Sequence, residues 1–248
     1  MATNKVAGSL YKDEQARKVD STGSNSPDLL AKRPMIGLLL FIFGLLIFGG
    51  LTYDLFAQGP LLQWDRVVAA TLPAIGLRNA AILKPVMDTG YYLGGWGVII
   101  LGLLFGSYFI YKRYWQELAM LGIALAGETL LWWSVSNLIG RERPPTQIWI
   151  ILKIPGFPSG HAMAAVVVFG FLAYYLAPKM HSAFGKGFVV AVAILAIIYI
   201  GFTRVFTGAH YLTDILSGYA LGLAWFALII TLIELYFQNR RNQNVKKG

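Results

Sequence analysis

Hydrophobic residues occur along this chain in six long runs separated by short polar segments. Each run approaches the roughly 20 residues that an α-helix needs to cross a bilayer. Because lipid cannot satisfy free backbone groups, each run is expected to be helical. The predicted spans are Pro34–Tyr53, Thr89–Tyr111, Leu118–Gly140, Ala162–Pro178, Gly187–Thr203 and Ile215–Ile233. The pattern therefore predicts an all-α fold, a polytopic membrane bundle of six transmembrane helices.

The polar stretches divide the chain further. Charged residues and prolines interrupt residues 60–86 too often for a span, which predicts an interfacial segment between helices 1 and 2. Residues 1–33 are expected to form a polar cytoplasmic tail, disordered or loosely helical. Residues 238–248 are expected to form a basic cytoplasmic tail. The six-helix membrane domain then occupies residues 34–237.

The composition agrees with a membrane protein. Of the 248 residues, 56% are hydrophobic and 13% are charged, whereas soluble domains carry about 25% charged residues. The chain has no cysteine, which excludes disulfides, thiolate metal ligands and thiolate nucleophiles.

The basic residues predict an orientation. With a cytoplasmic N-terminus and six spans, 14 of the 21 Lys and Arg residues fall on the cytoplasmic side. The positive-inside rule favours this arrangement. Both termini are therefore predicted to be cytoplasmic.

Three short segments on the opposite, extracytoplasmic side carry most of the chemically active side chains. They are Gly140-Arg141-Glu142-Arg143-Pro144-Pro145, Phe157-Pro158-Ser159-Gly160-His161, and Thr203-Arg204 followed by His210 and Asp214. Since all three follow or precede predicted spans on one side, they are expected to meet.

Two kinds of anion-binding group occur in these segments. Arg143 and Arg204 present planar guanidinium groups that fit phosphate oxygens. Ser159 and Gly160 lie at a predicted helix start, where unbonded backbone N–H groups bind anions. Glycine at that position lets an oxyanion approach the backbone closely. Together these groups predict a phosphate site.

The histidines supply the reactive groups. His210 and Asp214 are four residues apart and share one helical face, so the carboxylate can accept a hydrogen bond from one ring nitrogen. The other nitrogen then stays basic, as an activated nucleophile requires. His161 is able to donate a proton to a leaving oxygen. The set predicts a metal-free site for phosphoryl transfer.

The three segments resemble the signature motifs of the PAP2 (type 2 phosphatidic acid phosphatase) superfamily, which are K-x6-R-P, P-S-G-H and S-R-x5-H-x3-D. The matching residues are Arg143-Pro144, Pro158-Ser159-Gly160-His161, and Arg204-x5-His210-x3-Asp214. The resemblance includes the six-helix layout over residues 34–237. This superfamily contains lipid phosphate phosphatases, undecaprenyl diphosphate phosphatases and vanadium haloperoxidases.

The resemblance implies a role for each matching residue. His210 is expected to be the nucleophile, oriented by Asp214, and His161 is expected to protonate the leaving group. The expected phosphate-binding residues are Arg143, Arg204, Ser159 and Gly160. The implied reaction is metal-independent hydrolysis of a lipid phosphomonoester or diphosphate through a phospho-histidine intermediate.

The implied substrates are an isoprenyl diphosphate, phosphatidic acid or phosphatidylglycerol phosphate. The active site is expected at the extracytoplasmic face of a bacterial plasma membrane, with membrane lipids around the protein. No cofactor, metal or nucleic-acid partner is expected, and no particular oligomeric state is predicted.

Two positions depart from the motifs. Thr203 replaces the serine of the third motif and keeps its hydroxyl group. Ser136 stands seven residues before Arg143, where the first motif has lysine. Losing one charge-assisted contact to a buried anion costs about 1.5–3 kcal/mol. Lys84 and Lys153 are candidates for a replacement cation.

The missing lysine leaves two alternative functions open. One is a lipid phosphotransferase, which would pass a phosphoryl or head group to an alcohol acceptor. The other is a catalytically weakened, non-enzymatic lipid-binding member of the family.

Three further features carry expectations. Glu128 is an ionisable residue inside the third span, which indicates either a functional role or a structural hydrogen bond to a neighbouring helix. The structural role is favoured. Arg141 and Glu142 are interpreted as a solvated loop pair. The Gly218-x3-Gly222 pattern permits close helix packing.

Overall fold

The computed structural model of the protein describes residues 34–145 and 154–247, and its regular structure within these ranges is helical. The helices are α1 (Pro34–Phe56), α2 (Leu61–Arg78), α3 (Ala80–Tyr92), α4 (Val98–Lys112), α5 (Trp115–Ile139), α6 (Gly160–Leu176), α7 (Ala183–Phe206) and α8 (Leu212–Lys247). A π-helical turn, Leu93–Gly97, joins α3 to α4, and a 3-10 turn, Ala177–Lys179, follows α6. The predicted tail at residues 1–33 and Lys153 lie outside the described residues.

Six helical segments in the described part of the chain are long and apolar enough to cross a membrane, which confirms the predicted fold. They are Met35–Phe56, Ala80–Lys112, Trp115–Ile139, Gly160–Lys179, Ala183–Phe206 and Leu212–Phe237. Each overlaps one predicted span. The second begins at Ala80 instead of Thr89, because Pro85 removes only one N–H donor near the helix start and does not end the helix.

Helix α2 lies where the sequence predicted an interfacial segment. Its buried residues, Asp65, Ala69, Pro73 and Gly76, recur every three or four positions. Such a period presents one helix face to the bundle, and α2 packs against α7 and α8. This packing brings the Asp65 carboxylate to the backbone N–H of Thr213, at 3.0 Å.

The core of the bundle surrounds α6, which packs against α5, α7 and α8. Its buried side chains point in all directions around the helix, as expected for a helix that is apolar on every face. Helix α1 packs mainly on α8 and leaves large apolar side chains such as Leu39 and Leu46 exposed. In a membrane protein this outer surface faces lipid.

The Gly218-x3-Gly222 pattern has the predicted packing role. A Cβ atom at Gly218 would lie 2.6 Å from the Ser159 carbonyl oxygen, and one at Gly222 would lie 3.0 Å from that of Met163. Glycine therefore lets α8 approach α6 closely. As a result the first turns of the two helices are adjacent, and the Ser159 N–H donates to the Asp214 carbonyl at 3.0 Å.

Helix α8 continues beyond the sixth predicted span. The predicted boundary at residue 238 falls inside it, and the helix runs to Lys247. Residues 238–247 are polar but contain neither glycine nor proline, so the helix meets no residue that would end it.

Candidate active site

The three motif segments meet at one end of the bundle. Four of the seven predicted site residues line one cavity there, namely Arg143, Gly160, His161 and His210. The other three, Ser159, Arg204 and Asp214, are buried. Backbone hydrogen bonds join the buried residues to the rest, since Ser159 bonds to Asp214 and His210 bonds to Arg204. The structure thus brings together all seven.

A tight turn between α7 and α8 positions His210. Gly208 has a φ of 67°, a left-handed conformation that glycine adopts without strain. The backbone N–H groups of Ala209 and His210 then donate to the Arg204 carbonyl at 3.0 and 3.3 Å. The turn therefore holds His210 next to the end of α7, which carries Arg204.

The two ring nitrogens of His210 have different partners. Nδ1 lies 2.8 Å from the Gly156 carbonyl oxygen, which only accepts, so Nδ1 carries the hydrogen. Nε2 lies 2.9 Å from Nη1 of Arg143, which only donates. Nε2 is therefore the unprotonated nitrogen, and its lone pair faces the arginine at the cavity.

Asp214 lies farther from the ring than the sequence suggested. Its Oδ2 is 3.5 Å from Nδ1 of His210, so the carbonyl of Gly156 is the nearer acceptor. Oδ2 accepts the Tyr211 N–H at 2.9 Å, the reach-back contact of a capping box. Oδ1 accepts from Arg141 at 2.6 Å. These two contacts hold the carboxylate beside the ring, and an orienting role for it stays a prediction.

The interpretation of Arg141 as part of a solvated loop pair with Glu142 is wrong. Its side chain is only 10% exposed. Nη1 donates to Thr213 and Asp214 at 2.8 and 2.6 Å, and Nη2 donates to Asp65 at 2.8 Å. Buried charges need such pairing and hydrogen bonding. We call Asp65, Arg141, Thr213 and Asp214 the buried ion network.

Backbone carbonyls hold the Arg143 side chain. Nε donates to Ile154 at 2.8 Å, Nη1 to Ala209 at 2.7 Å, and Nη2 to Pro155 at 3.3 Å. No carboxylate of the described residues lies within ion-pair distance of it. Burial lowers the pKa of Arg143, and the more distant Asp214 carboxylate opposes this. The guanidinium is thus fixed in place with a charge that an incoming anion can neutralise.

Arg204 is held differently. It is buried, and its guanidinium lies over the Tyr91 ring at 4.9 Å from the centroid. Nη2 donates to Thr203 Oγ1 at 3.3 Å and approaches the Met87 carbonyl at 3.5 Å. Thr203, which replaces the motif serine, therefore supplies a hydroxyl contact to the arginine.

The start of α6 combines a helix cap with a close aromatic contact. Ser159 is the N-cap residue, and its Oγ accepts the Ala162 N–H at 3.5 Å. The Trp132 indole covers Gly160, where a Cβ atom would lie 2.8 Å from the ring. The same indole donates to the Pro158 carbonyl at 3.2 Å. Glycine is therefore required here by packing as well as by the expected approach of an anion.

His161 lies in the first turn of α6 and lines the cavity. Its ring lies beside that of Tyr91, with centroids 5.6 Å apart. Gly94 and Gly95, in the π-helical turn, line the cavity next to it. Single π-helical turns often occur at functional sites, and this one places two residues without side chains beside the imidazole.

The environment of His210 favours its neutral form. Burial lowers its pKa, and the positive charge of Arg143 lowers it further. The carboxylate of Asp214 and the hydrogen bond to the Gly156 carbonyl both raise the pKa and so oppose the lowering. A lowered pKa leaves Nε2 unprotonated at neutral pH, as nucleophilic attack requires.

The position of the missing lysine is buried. Ser136 is 3% exposed, and its hydroxyl has no hydrogen-bond partner among the described residues. Of the two candidate replacements, Lys84 pairs with Asp88 at 2.6 Å and is about half exposed. Lys153 lies outside the described residues. A replacement cation thus stays a prediction.

The cavity extends from the histidines along the groove between α4 and α5. Its volume is about 680 Å³, and between α4 and α5 it is lined by residues such as Gly102, Gly106 and Leu118. Trp132 lines the end of the cavity nearest the start of α6. Leu118 and Trp132 are 14 positions apart on α5, which corresponds to roughly 21 Å of helix. The cavity therefore joins a polar site at the helix ends to a long apolar groove.

Sequence reasoning did not single out several residues of the site. Asp65 and Arg141 are 76 residues apart, so their pairing has no local signal. Thr213 precedes Asp214 directly and gave no signal of its own. Gly156 lies two residues before Pro158, and this closeness to the second motif is the one signal that could have indicated it. Tyr91 is recognisable in the sequence only as an aromatic residue, and nothing there indicates its contacts with His161 and Arg204.

Comparison with known proteins assigns these segments to a family. A sequence model of the PAP2 superfamily matches residues 113–237, which include all three motif segments. Phosphatidylglycerophosphatase B of Bacillus subtilis is 33% identical over 134 residues, which cover 53% of this chain and 64% of that relative. The chain thus spans less than two thirds of that relative's length. A lipid A 1-phosphatase of Rhizobium etli is 27% identical over 211 residues, covering 70% of this chain and 86% of the relative.

A solved structure is also similar. It is the crystal structure of a transmembrane PAP2-type phosphatidylglycerolphosphate phosphatase from Bacillus subtilis. The TM-score is 0.64 at 26% sequence identity, over 79% of this chain and 94% of that chain. The similarity therefore extends beyond the motifs to the arrangement of the helices.

Proposed function

This chain belongs to the PAP2 superfamily, and from that premise we propose that it is a membrane lipid phosphatase that acts through a phospho-histidine on His210. Its substrate would be a lipid phosphomonoester or diphosphate, such as an isoprenyl diphosphate, phosphatidic acid or phosphatidylglycerol phosphate. The similar relatives, a phosphatidylglycerophosphatase and a lipid A phosphatase, support a lipid phosphate. The apolar groove that leads away from the histidines supports a substrate with a long hydrocarbon tail.

The state of the His210 ring carries this proposal. Nδ1–H donates to Gly156 O, and the Nε2 lone pair accepts from Arg143 at the cavity, so Nε2 is unprotonated and is freed when Arg143 turns to the phosphate. In the first step Nε2 attacks phosphorus while the bond to the lipid oxygen breaks. His161 gives its proton to that oxygen, which leaves as the lipid alcohol or phosphate.

The second step regenerates the enzyme. Water attacks the phospho-histidine, and neutral His161 takes a proton from it. The nitrogen–phosphorus bond breaks, inorganic phosphate leaves, and Nε2 of His210 recovers its lone pair. His161 thus acts once as acid and once as base, and the two steps together consume one water molecule.

Positive charge and backbone donors would stabilise the transferred phosphoryl group. Arg143 would turn its Nη1 from Nε2 toward a phosphate oxygen, and Arg204 would approach from the end of α7. The N–H groups at Ser159 and Gly160 would complete the cradle at the helix start. Fixed donors of this kind are the usual source of transition-state stabilisation, so the mechanism needs no metal ion.

The proposed orientation has the site at the extracytoplasmic face of a bacterial plasma membrane, with both termini cytoplasmic. The distribution of 14 of 21 basic residues supports it. All three motif segments lie at the same end of the bundle, which is consistent with one membrane face. A lipid phosphate would then enter from the outer leaflet.

The test is phosphate release by the detergent-purified protein with EDTA present. The panel contains undecaprenyl diphosphate, phosphatidic acid and phosphatidylglycerol phosphate, each with and without an alcohol acceptor. We expect acceptor-independent release that His210→Ala abolishes. His181→Ala is the matched control, since His181 is exposed in a loop away from the site.

Other results would contradict the proposal. A lipid product formed only with the alcohol acceptor would identify a phosphotransferase. No release from any lipid, with binding retained, would identify a non-enzymatic lipid-binding protein. Release that EDTA abolishes would exclude the metal-free mechanism.

A further inference from the structure

A carboxyl group lines the catalytic cavity close to its phosphate end. Glu128 of α5 is 5% exposed and lines the same cavity as the two histidines. Its Oε2 lies 3.3 Å from the Thr129 hydroxyl. That hydroxyl also lies 3.0 Å from the Leu125 carbonyl. A hydroxyl has one hydrogen to donate, so these two acceptors compete for it.

Glu128 lies one helical turn deeper in the cavity than the phosphate end. Trp132, four residues later on α5, covers Gly160 at the start of α6. Four residues correspond to about 6 Å along a helix. The Glu128 backbone therefore lies about one turn farther along the cavity than that of Trp132, where the head group of a bound lipid phosphate would join its tail.

The surroundings of Glu128 favour a hydrogen bond from an additional donor. The lining next to it on α4 and α5 is apolar, including Val98, Leu121 and Leu125. A carboxyl group in such a place is costly unless a donor reaches it. Glu117, on the same helix, is equally buried but does not line the cavity. The cavity therefore exposes Glu128 to whatever lipid occupies it.

We propose that Glu128 is a specificity-determining residue that accepts a hydrogen bond from the substrate, just below the scissile phosphate. This inference rests on the proposed lipid phosphatase activity. It assigns the substrate to lipid phosphates with a hydroxyl or amide N–H donor near the phosphate, such as lysophospholipids, sphingoid lipids or N-acylated sugars. An isoprenyl phosphate, whose tail has no polar hydrogen, would leave the carboxyl unpaired.

The physical basis is the cost of an unsatisfied buried group. A site built to bind a donor discriminates against an analogue that lacks it, because its own polar group is then left without a partner. A purely apolar groove would accept both lipids equally. Comparing two substrates that differ by one hydroxyl therefore shows whether the groove contains an acceptor for it or is purely apolar.

The experiment compares two substrates that differ by that hydroxyl. One is 1-oleoyl-glycerol 3-phosphate, and the other is the same molecule without its C2 hydroxyl. We expect the wild-type protein to have about tenfold higher kcat/KM for the hydroxyl lipid. In Glu128→Ala the ratio of the two values should fall to about one. Glu128→Gln, whose amide oxygen still accepts, should keep part of the preference.

Glu117→Gln is the matched control. It removes a second buried carboxyl from the same helix without changing the cavity, and the wild-type ratio should persist. Because the measurement is a ratio within one protein preparation, a partly unfolded variant still reports its preference. If Glu128→Ala cannot be purified, Glu128→Leu, which is similar in size and has no acceptor, supplies the comparison.

Two results would overturn the inference. If wild-type protein and Glu128→Ala hydrolyse both lipids with the same ratio, Glu128 has no role in selection, and the lipid phosphatase proposal stands. If wild-type protein releases phosphate from neither lipid nor from the panel of diphosphates and diacyl lipids, the proposed function itself fails, and this inference fails with it.

Discussion

The two arginines of the first motif segment lie two residues apart, yet they belong to opposite sides of the His210–Asp214 pair. Arg141 lies on the side away from the cavity and binds two carboxylates, those of Asp65 and Asp214. Arg143 lies on the cavity side and is held by carbonyl oxygens and Nε2 of His210. One guanidinium is neutralised by its neighbours, and the other keeps a charge to offer an anion.

The different partners of Arg141 and Arg143 indicate different tasks: Arg141 positions the helices, and Arg143 is available to bind a ligand. In the buried ion network each charge has a partner, so the network fixes where α2, the loop after α5 and α8 meet. On the cavity side the cation lacks a carboxylate among the described residues, and the imidazole keeps a lone pair. Incomplete pairing is costly in a buried site, so a charge without a counter-ion indicates where a ligand binds.

The largest expected loss of activity follows from replacing the two cavity histidines, His210 and His161, and the two variants should differ in which substrates they still hydrolyse. His210→Ala should abolish release from alkyl and aryl phosphates alike, because both need the nucleophile. His161→Ala should slow an alkyl phosphate about 10²–10⁴-fold, the usual contribution of a general acid. It should affect an aryl phosphate with an acidic leaving group far less, because that oxygen leaves without a proton.

The measurement is kcat/KM for a lipid phosphate and for p-nitrophenyl phosphate in each variant. Equal losses on both substrates in His161→Ala would contradict its role as the acid. Full activity of His210→Ala on the aryl phosphate would contradict the nucleophile assignment.

The next effect concerns Arg143. Arg143→Gln should lower kcat/KM about 10²-fold, the usual loss when one transition-state donor is removed. Its melting temperature should change less than that of Arg141→Gln, because the partners of Arg143 are uncharged and no buried carboxylate depends on it. A variant with near-normal kcat/KM would show that the cavity-side charge does not bind the substrate.

Arg141 should give the opposite result. Arg141→Gln removes the arginine that pairs with the buried carboxylates of Asp65 and Asp214, and breaking such a pair costs about 3–5 kcal/mol. The variant should melt at a clearly lower temperature in detergent. An unchanged melting temperature would show that the buried ion network contributes little to stability.

The sequence predicted those parts of the molecule that depend on local patterns. The six spans follow from hydropathy alone, and the segments around Arg143, His161 and His210 follow from spacing at helix ends. The Gly218-x3-Gly222 pattern indicated that close helix packing was permitted, and the structure identifies α6 as the partner helix.

The rest depends on contacts between distant residues. Asp65 was read only as a charge that prevents a membrane span, because its partner Arg141 is 76 residues away. The acceptor for Nδ1 of His210 is a backbone carbonyl, and no side-chain pattern indicates it. Glu128 could be noted as unusual in a span, but its place in the cavity depends on how α5 is rotated.

The smallest effect is expected at Ser136. Its buried hydroxyl has no hydrogen-bond partner among the described residues, so Ser136→Ala removes a group that contributes no bond. Activity should stay within about twofold of wild type, and stability should be unchanged or slightly higher. A large loss of kcat/KM would show instead that the serine hydroxyl binds the substrate in place of the motif lysine.

The phospho-histidine intermediate is the central claim, and trapping it is the most direct test. The protein would be mixed with a lipid substrate carrying radiolabelled phosphate and denatured during turnover. We predict a label on the protein that is stable in alkali, lost in acid, present in His181→Ala and absent from His210→Ala. Turnover without any labelled protein, or a label that persists in His210→Ala, would contradict the account.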